Sequence, residues 1–305
     1  MNWKIKLVLW FTSLRKPAAM EANMSISELR KKSDKAAALG TFLFDKKTSI
    51  KKITDADANG ITVRIYNNSD EAAQRVIVYY HGGGFVLYGL YSHDYICRRL
   101  CKMNNCIVVS VDYRLAPEHT YPAAHDDAFN TLKWVIVNVG LYGGNSNNIV
   151  VAGDSAGGNL AACMAHRCLK EGIVLKAQVL VYPWIDGQLN NPSITKNGKG
   201  YLLEKETMFW FQQQYTPRLE DRCVPGVSPC YEKAFSGLAP AFILTAQYDP
   251  LRDDGLKYYE QLKTGGSVAQ YREYDFLFHG FFNLPGVHKN AMQAYNDIRD
   301  FLSEV

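Results

Sequence analysis

The clearest regularity in the chain is a set of short, uninterrupted apolar runs separated by longer stretches of helical character. The runs cover residues 76–80, 107–111, 149–152, 179–182 and 242–245, and they are rich in β-branched side chains. A strand that is apolar at every position is buried on both faces, so these runs predict a parallel sheet covered by helices. Ile61-Thr62-Val63-Arg64-Ile65-Tyr66 instead alternates with period two, which predicts a strand with one wetter face. Asp57-Ala58-Asn59-Gly60, just before it, predicts a turn. A further alternating stretch covers 270–274. Strands and helices in alternation predict an α/β architecture with a mostly parallel central sheet flanked by helices.

Two segments fall outside this rhythm. Residues 1–45 read as helix and loop, with Ser25-Ile26-Ser27-Glu28 as a helix start. Residues 186–236 are rich in Asn, Gln, Pro and aromatics and hold no β-branched run, so they read as an insertion. Together the two segments are expected to form a cap over the C-terminal edge of the sheet, within one domain spanning 1–305. Lys4 and Lys6 followed by Leu7-Val8-Leu9-Trp10-Phe11 resemble the opening of a signal peptide. The apolar run is only five residues, however, and Arg15-Lys16 closes it. That is short for a leader and far short of a bilayer. An amphipathic helix packed over the rest of the fold is expected there, with no stable membrane anchor.

Composition narrows the function classes. A chain of 305 residues, 47% hydrophobic and 21% charged, buries a sizeable core. A net charge of +4, spread along the chain, argues against nucleic acid as a partner. The pairs Lys31-Lys32 and Lys51-Lys52 read as solvated surface. Seven cysteines without regular spacing do not make a disulfide framework. Cys163 and Cys168 lie in an apolar helical stretch, and no His or Cys set near Cys97 and Cys101 completes a zinc site. Reduced thiols predict a cytoplasmic setting.

The candidate chemistry centres on Gly153-Asp154-Ser155-Ala156-Gly157. A buried strand ends directly before it and a helix starts directly after it, from Ala156. This strand–turn–helix frame forces the central residue into a sharp turn and sets a serine hydroxyl at a helix N-terminus, where the dipole favours an oxyanion. A serine hydroxyl needs a base, and the base needs an acid to orient it. In such a fold acid and histidine follow the serine in that order. Of the later histidines, His279 follows a strand on a loop, whereas His288 opens the last helix and reads as surface. Asp249 follows the strand at 242–245. Asp253 and Asp254 fall at a helix start, and Asp275 is close to His279 but not directly past a strand. His81-Gly82-Gly83-Gly84-Phe85 follows the strand at 76–80, and its glycines let backbone N–H groups approach a ligand. The phosphate-loop and dinucleotide spacings are absent.

His81-Gly-Gly-Gly-Phe85, Asp112-Tyr-Arg-Leu-Ala-Pro-Glu118, Gly153-Asp-Ser-Ala-Gly-Gly158, Asp249-Pro-Leu-Arg-Asp253 and His279-Gly-Phe281 occur in this order. As a set they resemble the hormone-sensitive-lipase-like esterases of the α/β-hydrolase fold, arylacetamide deacetylase relatives among them, from about residue 50 to the C-terminus. The resemblance implies Ser155 as nucleophile, His279 as base and Asp249 as its orienter. It implies Gly83, Gly84 and Ala156 as the oxyanion-hole amides, and a helical cap. Phe276-Leu277-Phe278 is bulkier than the family's usual approach to the histidine and is expected to narrow the pocket.

The other motif residues read as structural. Asp112, Arg114 and Glu118 are expected to lock the loop beneath the site through Arg–carboxylate contacts, and His81 to brace the glycine loop. Trp184, Tyr201, Phe209, Trp210 and Phe211 are candidates for a lipophilic pocket wall. The expected activity is hydrolysis of short- to medium-chain carboxylic esters through an acyl-enzyme, without metal or cofactor, on a small-molecule ester. An aryl-amide hydrolase would use the same parts, and a non-catalytic receptor should have lost a triad member. A lipase working at oil interfaces would want a large apolar lid, whereas the cap is mixed with Asn, Lys and Glu. Oligomeric state stays open, a homodimer included.

Overall fold

A computed structural model describes residues 2–13, 24–44 and 46–305. The elements run in order α1 (Trp3–Ser13), α2 (Ile26–Phe44), β1 (Lys52–Asp57), β2 (Thr62–Asn67), β3 (Gln74–Tyr80), α3 (Asp94–Asn104), β4 (Ile107–Val111), α4 (Ala123–Asn138) and β5 (Gly144–Asp154). They continue with α5 (Ala156–Lys170), β6 (Ala177–Val181), α6 (Pro192–Lys196), α7 (Lys205–Tyr215), β7 (Ala241–Tyr248), α8 (Arg252–Thr264), β8 (Ala269–Phe278) and α9 (Lys289–Ser303). The strands form one sheet in the order β1-β2-β4-β3-β5-β6-β7-β8. The β1–β2 and β2–β4 pairs are antiparallel and every later pair is parallel.

The uninterrupted apolar runs have a simple physical use. Side chains alternate across a strand, so Val76, Val78 and Tyr80 of β3 enter the core on one face while Ile77 and Tyr79 enter the core on the other. The first core packs against α4, α5 and α8, the second against α3 and α9. No apolar run in the sequence marks β1. That strand holds no buried residue, so it leaves little hydrophobic signal. The turn before β2 is present, with the Gly60 N–H donating to Asp57 Oδ1 at 2.6 Å and Asn59 and Gly60 at positive φ.

Outside the sheet, α2 starts at a reciprocal cap. Glu28 Oε2 accepts from the Ser25 N–H at 3.0 Å, and Ser25 Oγ accepts from the Glu28 N–H at 3.3 Å. On α1, Ile5 and Val8 are buried, and Asn2 and Lys4 donate to the carbonyls of Val287 and Gly286. Residues 186–236 carry α6, α7 and short 3-10 turns but no strand. Buried Asp254 at the start of α8 ties this segment down, accepting from the Ile185 and Asp186 N–H groups at 2.8 and 2.9 Å and from the Asn191 amide. Among the described residues, no helix is long and apolar enough to cross a membrane.

Candidate active site

Three loops that leave parallel strands meet at the C-terminal edge of the sheet. Ser155 follows β5, Asp249 follows β7 and His279 follows β8. His279 Nε2 lies 3.0 Å from Ser155 Oγ, and His279 Nδ1 lies 2.8 Å from Asp249 Oδ2. The Asp249 carboxylate is fully buried, and its second oxygen accepts from the Leu251 N–H at 2.8 Å. A carboxylate held in this way fixes the imidazole so that Nε2 faces the hydroxyl.

The rival residues lie elsewhere. Asp253 accepts from Arg252 and from the Ser193 N–H, and Asp254 is the anchor of the insertion just described. Asp275 is exposed, and His288 caps α9, with Nδ1 accepting from the Asn290 N–H at 3.2 Å.

Ser155 is held at φ 55°, ψ −118°, outside the ordinary helix and strand regions. The turn is tight because α5 starts against β3. A Cβ at Gly157 would lie 1.9 Å from the Tyr80 carbonyl oxygen, so no side chain fits there. The glycine loop after β3 turns at Gly83, whose carbonyl accepts from the Val86 and Leu87 N–H groups. Among the described residues, nothing accepts from the Gly83 and Gly84 amides, and both glycines face the same cavity as Ser155 and His279. Ala156 N–H is the first amide of α5.

Beneath this loop lies a buried network that sequence reasoning missed. Asp154 Oδ1 accepts from the Tyr79 hydroxyl at 2.7 Å and the Gly82 N–H at 3.0 Å, and His93 Nε2 stands 3.3 Å away. Burial works to raise the Asp154 carboxyl, but His93, Tyr79 and His81 outweigh it and hold it below the usual carboxylate range. The acidic residue beside the serine therefore braces the glycine loop. The only signal for this was its place inside the pentapeptide. His81 stacks on Tyr113 with centroids 4.2 Å apart, and its Nδ1 lies 2.7 Å from the Gly82 carbonyl. Burial, with His93 nearby, lowers its pKa to about 3, so it is a neutral brace.

The Arg–carboxylate locks exist, but with other partners than the sequence suggests. Arg114 grips Asp127 through two nitrogens, and Glu118 is held by Arg30 of α2 at 2.7 and 2.9 Å. Asp112 takes part in neither pair.

The cavity over Ser155 has a volume of about 370 Å³. Val8 of α1, Leu39, Leu43 and Phe44 of α2, and Leu202, Met208 and Phe211 of the insertion form much of its wall. Of the aromatic candidates, Trp184 and Phe211 line it. Tyr201 stacks on Tyr248 instead, and Phe209 and Trp210 pack outside the lining. The bulk before His279 does not narrow the pocket. Leu277 and Phe278 point into the core, and Phe276 is partly exposed beside His288. All seven cysteines are free, and all but Cys223 are buried.

Residues 77–283 match a family model described as the alpha/beta hydrolase fold. An ethyl acetate hydrolase of Pseudomonas putida is 34% identical over 90% of this chain and 87% of its own length. A gibberellin receptor of Arabidopsis thaliana is 35% identical over 69% of this chain and 61% of its own. The solved esterase of Pyrobaculum calidifontis superposes with a TM-score of 0.91 at 35% identity, covering 98% of this chain and 97% of that one. With these motifs on this sheet, the chain belongs to the hormone-sensitive-lipase-like esterases of the α/β-hydrolase fold.

Proposed function

We propose that this carboxylic-ester hydrolase works through an acyl-enzyme on Ser155, with His279 as general base and Asp249 as its orienter. The observation that carries the reading is the continuous Asp249–His279–Ser155 chain, with links of 2.8 and 3.0 Å. His279 Nε2 takes the hydroxyl proton as Ser155 Oγ attacks the ester carbonyl. The Gly83, Gly84 and Ala156 amides, which lack other acceptors or open a helix, receive the developing oxyanion. The same proton then leaves on the alcohol, and water activated by His279 releases the acid. These steps draw on side chains and amides alone, without metal or cofactor.

A cavity of about 370 Å³ sits at the small end of ligand pockets. Each buried methylene adds roughly 0.8 kcal/mol until the chain meets the wall, after which overpacking outweighs burial. The optimum acyl chain is therefore about C4 to C6.

Similarity to a receptor raises a binding-only reading, but a binding protein has no use for a polarised serine, and the intact chain of hydrogen bonds favours catalysis. The test is Ser155→Ala assayed on p-nitrophenyl esters of graded length with one aryl amide included. Loss of about 10⁴-fold or more in kcat with unchanged folding supports the assignment. A folded variant that keeps its activity overturns it.

A further inference from the structure

The insertion is as mixed in character as its sequence suggests, but α1 and the C-terminal half of α2 expose clustered large apolar side chains. On α1, Trp3 and Leu7 are 69% and 37% exposed. On α2, Leu39, Phe42 and Leu43 are 53%, 74% and 60% exposed. Spacings of three and four residues gather each set on one side of its helix, opposite the buried Ile5 and Val8 of α1 and away from the buried Thr41 of α2. The patch continues into the reaction site, since Val8, Leu39 and Leu43 also form part of the wall of the Ser155 cavity. Its border is basic. Lys31 and Lys35 are exposed on the Leu39 side of α2, two turns and one turn before it, and exposed Lys6 stands beside Leu7. Of the acids on α2, Glu28 is engaged with Ser25 in the helix cap, and Asp34 points to the other side of the helix from Leu39.

We propose that the α1–α2 face docks reversibly on an anionic lipid surface and that the ester enters the Ser155 cavity from that surface. The inference rests on the reading of this cavity as the ester site. Apolar side chains rimmed by cations are what an interfacial helix presents to headgroups and acyl chains. Lysines beside them are drawn to anionic lipid. A second copy of the chain would bring the same basic border against itself, so charge favours the lipid over self-association. Docking of this kind is peripheral and needs no spanning segment.

The test uses the full-length chain and sedimentable vesicles of phosphatidylcholine, with and without phosphatidylglycerol. The wild-type protein should sediment with the anionic vesicles and bind the neutral ones at least ten-fold more weakly. Trp3→Ser with Phe42→Ser should lower the partition at least ten-fold. Lys31→Glu with Lys35→Glu should do so on anionic vesicles, an effect that added salt imitates in the wild type. Neither pair lines the cavity, so both variants should hydrolyse a dissolved short ester at the wild-type rate. Loss of that activity in the wild type would indict the ester site and not the docking face. Absence of wild-type binding to either vesicle, or undiminished binding by both variants, overturns the proposal. So does a wild-type dimer that Trp3→Ser with Phe42→Ser disperses while vesicles go unbound, because the face would then serve a second copy.

Discussion

The edge of the sheet that carries Ser155 and the roof above it are held in different ways. Ser155, Asp249 and His279 each stand one residue past a parallel strand, and β5 and β7 are clamped between two buried cores. Their positions are set by backbone pairing and close packing, which tolerate little displacement. The N-terminal part of the roof relies largely on polar contacts, Arg30 to Glu118 and Lys4 to the Gly286 carbonyl, whereas the insertion adds buried Ile194, Met208, Phe211 and Tyr215 to the core beside its anchor at Asp254. Along α2 only Leu29 and Thr41 are buried. The chemistry is thus built on the rigid part, and the shape of the pocket on the adjustable one.

The sharpest way to break this contrast is at the acid. Asp249→Asn leaves the sheet intact but removes the charge that orients and stabilises the imidazolium, and kcat should fall by about 10⁴-fold. Asp275→Asn, on an exposed carboxylate, should stay within about two-fold of wild type. A large loss at Asp275 and a small one at Asp249 in steady-state assays would mean that the triad is assembled differently.

That assignment also shows where the sequence stops being informative. The serine was legible because a strand, a tight turn and a helix demand small residues at fixed places, as the 1.9 Å approach at Gly157 illustrates. Asp249 stood out among its neighbours by its place directly past a strand, a local rule that transfers to three dimensions. Partnerships across the fold carry no such local rule. Arg114 binds Asp127, which no motif marked, and Asp154 reaches back under the glycine loop. Phe276-Leu277-Phe278 looked like pocket residues because they adjoin His279, but β8 turns Leu277 and Phe278 into the core. The roof was legible only as a break in texture, and which of its aromatics face the cavity was not.

The two regions touch at Gly84. A methyl there would lie 2.3 Å from Phe211 Cγ, and the φ of +61° already disfavours a side chain. Gly84→Ala should therefore lower kcat by about 10²-fold by displacing an oxyanion donor. Phe211→Ala should leave kcat on an acetate ester within about three-fold and move the acyl optimum to longer chains. If the roof acts through this contact, the double variant should regain part of the activity lost in Gly84→Ala. Strict additivity in the double-mutant cycle would show that the roof does not press on the glycine loop.

Acid should act on the two regions with opposite sign. Burial lowers the pKa of His81 to about 3 and those of His125 and His166 to about 4. An unfolded imidazole takes its proton near 6.5, so between there and the folded values the unfolded state binds more protons. Stability from these histidines is present above that range and lost as pH falls, by roughly 2 kcal/mol each at pH 5. Asp254 runs the other way. Burial, against its amide hydrogen bonds, raises its pKa to about 7, so the folded state binds more protons from there down to the unfolded value, and acid relieves it. The urea midpoint should therefore fall clearly from pH 7 to pH 5, and Asp254→Asn should make that fall steeper. A midpoint independent of pH in both proteins would contradict the buried neutral histidines.

The smallest expected effect comes from removing residues 1–20. Among the described residues of α1, Val8 lines the cavity and Ile5 is buried in the core beside α9. Loss of Val8 opens one side of the pocket, so contacts with the distal end of the acyl chain weaken and those at the ester carbonyl remain. A group that binds ground state and transition state alike changes KM and not kcat. The truncated protein should show KM for a butyrate or hexanoate ester raised by about four- to fifteen-fold, corresponding to one or two methylene contacts at roughly 0.8 kcal/mol each. Its kcat on an acetate ester should stay within about two-fold, because that acyl group ends before the wall. Chain-length series on both proteins decide the matter. An unchanged profile would remove α1 from the pocket wall, and a matching collapse of kcat on acetate would show that the roof supports the catalytic edge itself.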